Sequence, residues 1–187
     1  NGADAQADTA VFHEPQKIIY GGIFAFWEDI DSYLDLCKIG GGEFYLAGSG
    51  PLDKQVMARI KDEEIKVKFF GSLKRDEALK LFSEMSVGIA PSVKTLTRQV
   101  ASPIKVFDYL SCGLPVVTPR VGQWGKIIEK FDCGIVTMES DATEFRQALS
   151  ELQDEKTWKR KSKNALEAVK EYSWDKVLAP LKKALVV

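Results

Sequence analysis

Ser102-Pro103-Ile104-Lys105-Val106-Phe107-Asp108-Tyr109-Leu110 runs on through Gly113-Leu114-Pro115-Val116-Val117. Pro103 suits the first turn of a helix, where its missing N–H costs nothing, and Ser102 before it is placed to cap. Gly113 stands where a helix C-cap is wanted, Pro115 stops any continuation, and a β-branched run then starts a strand. Lys105 and Asp108 are three residues apart, so they share one helical face near the open end. A cation and a carboxylate there, beside unpaired N–H groups and the positive end of the helix dipole, can grip the phosphate and ribose of one nucleotide. Taken alone, the same spacing also describes an ordinary surface ion pair.

Outward from this stretch, short apolar runs alternate with amphipathic ones. Strands are expected at 17–22, 43–47, 66–70, 87–90, 115–118 and 134–137, with helices at 30–39, 52–60, 75–85, 103–111 and 123–131. Such alternation implies right-handed crossovers and a parallel sheet. The fold class is therefore α/β: a Rossmann-like, open, six-stranded parallel sheet flanked by helices, with a helical C-terminal segment from Ala142 onward. Asp141 and Glu144 have the spacing of a capping box, and Ser173-Trp174-Asp175 breaks the helical run to start a final helix. Open parallel sheets bind ligands beyond the carboxyl ends of their strands. Gly22, Gly48, Gly71 with Ser72, and Pro91-Ser92 all follow strand ends and would line that rim. Gly48-Ser49-Gly50-Pro51 is a tight turn but no dinucleotide fingerprint, because Asp53 stands where a third glycine is needed. Arg98, in the loop before Ser102, can supply a second positive charge or remain a solvated loop residue.

Composition excludes several function classes. The chain has 187 residues, 45% hydrophobic and 28% charged, with a formal net charge of −1. This describes one ordinary globular domain with no global attraction to nucleic acid. No apolar run approaches membrane-spanning length, and no signal-peptide pattern stands at the start. Three widely spaced cysteines, Cys37, Cys112 and Cys133, read as buried reduced thiols. With a single histidine, His13, read as exposed, a metal site is not expected. Lys159, Arg160, Lys161 and Lys163 are interleaved with acids and read as a solvated face.

The 102–117 stretch resembles the donor-site motif of GT-B glycosyltransferases of the large retaining group 1 family. Gly48-Ser49-Gly50-Pro51-Leu52 looks like that family's "GSGP" loop. Phe69-Phe70-Gly71 and Ala90-Pro91-Ser92 end strands in the family's order, and Asn1-Gly2-Ala3-Asp4 is similar to the segment joining the family's two domains. The resemblance implies one half of a GT-B fold. Residues 1–15 would be the interdomain linker, 16–172 a nucleotide-sugar donor-binding domain and 173–187 a C-terminal helix, with the N-terminal acceptor domain absent from this chain. It also implies transfer of a sugar from a UDP- or GDP-linked donor to an acceptor hydroxyl in glycan, polysaccharide or glycolipid synthesis, with retention of configuration and no metal or cofactor. This half alone would bind nucleotide without turning over. The implied donor-binding residues are Gly22, Gly48, Ser49, Gly50, Gly71, Ser72, Arg98, Ser102, Pro103, Ile104, Lys105 and Asp108, with Lys105 stabilising the departing diphosphate. The implied partners are the nucleotide sugar and the missing domain, and the implied location is the cytoplasm, with membrane contact only through the full-length enzyme.

Three positions depart from the family pattern. Ile23 and Glu28 stand where the family carries basic diphosphate contacts, and Val100 stands where a glutamate meets the donor sugar. Asp108 replaces the usual glutamate and is one methylene shorter. Two other readings therefore stay open: a noncatalytic nucleotide-sugar-binding or regulatory module, and a nucleotide-sugar epimerase of the same fold.

Overall fold

The computed structural model describes residues 1–6 and 9–185; positions 7, 8, 186 and 187, parts of the expected arm and final helix, lie outside the described residues. The chain runs β1 (Lys17–Gly21), α1 (Ile30–Ile39), β2 (Glu43–Ala47), α2 (Asp53–Asp62), β3 (Lys68–Phe69), α3 (Arg75–Ser83), β4 (Val87–Ile89), α4 (Leu96–Val100), α5 (Ile104–Ser111), β5 (Val116–Pro119), α6 (Gly122–Phe131) and β6 (Gly134–Thr137). Three helices close it: α7 (Ala142–Glu151), α8 (Glu155–Glu171) and α9 (Trp174–Leu185). All strand pairings are parallel, in the order β3-β2-β1-β4-β5-β6. The chain leaves β1 toward one edge and returns to β4 on the other side. The loops after β1 and β4 therefore diverge, which is where such sheets take ligands.

Alternation along the strands feeds two apolar layers. Ile19, Tyr45, Ala47 and Val116 face α3, α5, α6 and α8. Ile18, Tyr20, Phe44, Leu46, Val87, Ile89 and Val117 face α1, α2 and α7. Fully burying one such Ile, Leu or Val is worth roughly 1.5–3 kcal/mol, so these two faces carry most of the favourable energy. The sheet is sandwiched, and this explains why its strands read as continuous apolar runs.

Local signals hold the frame in register. Helix α5 ends in a full Schellman motif: Gly113 (φ +70°) donates to the Leu110 carbonyl at 3.0 Å, and Leu114 donates to the Tyr109 carbonyl at 3.0 Å. At its other end the expected Ser102 cap is absent. Pro103 is the N-cap, with no side-chain cap, and the Ser102 carbonyl instead accepts a hydrogen bond from the Asn1 amide. The box at Asp141 is only half formed. Asp141 accepts from Thr143 and Glu144 N–H, but the Glu144 carboxylate turns to the N–H groups of Met138 and Glu139. The N-terminal arm is tied down: Ala3 donates to the Tyr172 carbonyl at 3.1 Å, and Asp4 accepts from the Trp174 N–H at 3.3 Å. His13 is half-buried rather than exposed, because the arm tucks it beside Gln16 and Gln153. Lys161 is buried against Asp132, at 2.6 Å, rather than solvated with its basic neighbours.

Candidate functional site

A cleft of about 510 Å³ opens at the carboxyl edge of the sheet. Its walls are the loops after β1, β2 and β3 and one side of α3 and α5: Gly21, Gly22, Ile23, Ala47, Gly48, Ser49, Ser72, Leu73, Arg75, Ala78, Phe82, Ile104, Lys105 and Asp108. The first turn of α5 contributes N–H groups that its own helix leaves unpaired, and Pro103 before it has none to contribute.

Glycines let these loops close on one another. A Cβ on Gly48 (φ +138°) would overlap the Gly22 carbonyl oxygen. A Cβ on Gly22 would come within 2.8 Å of Lys105 Cε and Nζ. Gly22 donates to the Ala47 carbonyl at 3.0 Å, and Gly48 donates to the Gly71 carbonyl at 2.7 Å, so the three loop starts are stitched side by side. Helix α5 is pinned to this edge by Tyr109, whose hydroxyl accepts from the Gly21 N–H at 2.7 Å. Its ring fits over Gly88, where a Cβ would come within 2.6 Å of it, and packs edge-on against Phe82 at 4.9 Å between centroids. Burial pushes the Tyr109 hydroxyl above the usual phenol range, so it stays a neutral hydrogen-bonding group.

Charge is arranged in two groups. The Lys105 ammonium forms a buried pair with Glu28 and lies 4.4 Å above the Tyr20 ring, with the Tyr20 hydroxyl accepting at 3.3 Å. Glu28 also meets Arg98 at 3.2 Å, and Arg98 donates to Ser92 Oγ at 2.9 Å and lies 5.1 Å from the Trp124 ring. Burial lowers the Lys105 pKa from its usual value, and Glu28 opposes that shift. On the facing wall Arg75 meets Asp108 at 2.8 Å. Hydrogen bonding to Asp108 holds the Arg75 guanidinium charged, and more than half of that side chain is exposed. Among the described residues, no group of three or more His, Cys, Asp and Glu side chains comes together to hold a metal ion.

Seven of the twelve residues singled out from sequence line this cleft: Gly22, Gly48, Ser49, Ser72, Ile104, Lys105 and Asp108. The other five do not. Gly50 packs on the Phe24 backbone, and its N–H is occupied by Asp53 at 2.6 Å, so Asp53 closes the turn. Gly71 offers its carbonyl to Gly48, Ser102 and Pro103 lead into α5 beside the Asn1 amide, and Arg98 stands behind the wall on Glu28. Sequence reading missed Arg75 and Tyr109, and it took Glu28 only as a lost basic contact rather than as the partner of Lys105. Glu28 carried one usable signal: an acid where the resemblance calls for a base, on a loop bordering the lysine.

Residues 22–155 match the family described as "Glycosyl transferases group 1". Among solved structures, the chain superposes on a sucrose-phosphate synthase from Thermosynechococcus elongatus with TM-score 0.80 and 18% identity, covering 98% of this chain and 50% of that one. It superposes on the pneumococcal O-GlcNAc transferase GtfA, solved with UDP and GlcNAc, with TM-score 0.78 and 16% identity, covering 98% of this chain and 38% of that one. Anabaena HepE, solved in complex with UDP, matches with TM-score 0.77 and 16% identity over 90% of this chain and 48% of its own. The chain thus spans half or less of the length of these structures. A search of curated proteins gave no match. The open parallel sheet is that of a GT-B domain, and with the family match covering most of its length this chain belongs to the group 1 glycosyltransferases.

Proposed function

We propose that the chain binds the nucleoside diphosphate of a sugar donor, UDP-linked in the first instance, as the donor half of a retaining glycosyltransferase. The observation that carries this reading is the cleft at the sheet's switch point, which brings the first turn of α5, Lys105 and Asp108 onto one surface. In this reading the diphosphate lies against the α5 N–H groups and Lys105, and Asp108 accepts the ribose hydroxyls while Arg75 steadies its carboxylate. Negative charge develops on the diphosphate as the sugar leaves. A fixed ammonium and an aligned helix end stabilise that charge without reorganising, which is how preorganised donors lower a barrier. The matched GtfA and HepE structures hold UDP, which favours uridine over guanosine. An acceptor site would belong to a second domain, since the matched structures are about twice this length or more. This half alone is expected to bind without turning over.

Calorimetric titration with UDP, UDP-glucose and GDP-mannose tests the reading. Saturable binding of the uridine ligands in the micromolar to millimolar range is expected. Absence of saturable binding for all three at millimolar ligand removes the donor assignment. One observation favours a noncatalytic module instead: the lysine meant for phosphate already has a buried carboxylate partner in Glu28. Binding without sugar transfer in a chain carrying both domains would decide for it.

A further inference from the structure

Lys105 does not stand alone in the cleft wall. Its ammonium pairs with Glu28, whose side chain is 4% exposed, and Glu28 also holds Arg98 at 3.2 Å. Neither Glu28 nor Arg98 lines the cleft, so the carboxylate touches the ammonium from behind while the lysine faces the ligand space. The geometry points to Glu28 as a positioning residue for donor binding, the resident counter-ion that keeps Lys105 charged and aimed at the diphosphate. This rests on the donor reading above and adds a residue that reading does not use.

The physical case is electrostatic. An ammonium taken out of water loses its proton unless an opposite charge meets it. The groups around Lys105 are few and come from every element packed on it: Tyr20 from β1, Glu28 from the loop after β1, Arg98 from α4, and Asp108 on its own helix beside Arg75 of α3. Arg98 repels the ammonium, and burial disfavours its charge. Asp108 is already engaged by Arg75. Glu28 is therefore the carboxylate that keeps the proton on Lys105. The cluster of Lys105, Arg98 and Glu28 retains one net positive charge, so it still attracts a diphosphate. The lysine has three donors, of which two go to Glu28 and Tyr20, and the third is left for the ligand. Acid at position 28 is thus compatible with phosphate binding.

The test is UDP binding by calorimetry across pH 6.5 to 9 in the wild type, Glu28→Gln, Lys105→Met and the double variant. Wild-type affinity is expected to stay flat. Without Glu28 the lysine pKa falls further, so Glu28→Gln should match the wild type most closely at pH 6.5 and lose about tenfold in affinity per pH unit once the lysine deprotonates. Once Lys105 is gone, Glu28→Gln should change nothing further, as a residue acting through another must behave. Removing one partner of a buried pair can unfold a protein. The comparison of Lys105→Met with the double variant, which carries no orphaned ammonium, decides the matter if Glu28→Gln alone does not fold. Glu28→Gln binding UDP with the wild-type pH profile, or more tightly at every pH, would overturn the inference, as would an equal loss in the Lys105→Met background. Failure of the wild type itself to bind UDP would sink the donor reading and this inference together.

Discussion

Two alanine substitutions on neighbouring glycines should be read by different measurements. At Gly48 the new Cβ would overlap the Gly22 carbonyl, backbone of a residue whose N–H is held by the Ala47 carbonyl, at a φ of +138°. Overpacking costs about 1–3 kcal/mol and a strained backbone position a further 1–3 kcal/mol, so Gly48→Ala should lose about 2–6 kcal/mol of stability. At Gly22 the new Cβ would lie 2.8 Å from Lys105 Cε and Nζ, the far end of a flexible side chain. The lysine must retreat by about 1 Å to reach ordinary van der Waals separation, which unsettles its pair with Glu28, and the positive φ of +159° adds backbone strain to the folding cost. A hydrogen bond to a charged group is worth about 1.5–3 kcal/mol, so Gly22→Ala should weaken UDP binding by about 10- to 150-fold. Urea denaturation reads the first quantity and calorimetry the second. A Gly48→Ala protein as stable as wild type, or a Gly22→Ala protein that binds UDP unchanged, would refute the packing derived for these loops.

Tyr109→Phe keeps the ring over Gly88 but orphans the buried Gly21 N–H; a loss of about 1–3 kcal/mol is expected, visible as a lowered melting temperature. Arg75→Ala frees Asp108 at the cleft wall; it should weaken UDP and uridine alike, since the proposed role is on the ribose side, and calorimetry with both ligands would show a selective loss for UDP if that placement is wrong. Burial pushes the Cys37 and Cys133 thiols from 9.0 up to about 12, so the folded chain keeps protons that the unfolded chain releases. Stability from these thiols is therefore complete below pH 9 and falls as pH rises toward 12. The decline between pH 9 and 10 should be shallower in a Cys37→Ala/Cys133→Ala variant, whereas above 10.0 the buried Tyr20, Tyr33 and Tyr109 add their own losses in the same direction.

Much of the frame was readable because its causes are local. Gly113 and Pro115 mark the end of α5 and the start of β5, and the apolar periods place α1 at the very residues expected, Ile30–Ile39. Helix α4 was missed because it is five residues long and leaves Leu96 and Val100 exposed, so no apolar period announces it. Strand β3 is shorter than expected, since as an edge strand it pairs only with β2 and its residues are exposed. In the site, the spacing of Lys105 and Asp108 set both on the cleft wall, and glycines after strands gave its rim. Their partners did not follow from spacing. Glu28 lies 77 residues from Lys105 in sequence, and Arg75 lies 33 from Asp108. Pairings at that separation come from sheet order and loop closure. Neither was visible in the local pattern, although the acid at 28 hinted at a charge exchange.

If Lys105 meets a diphosphate, side-by-side calorimetry of UDP and uridine with Lys105→Ala will separate the two ligands. Loss of about 1.5–3 kcal/mol in UDP binding, with uridine binding unchanged, is the predicted result. Equal losses for both ligands, or none for UDP, would contradict it.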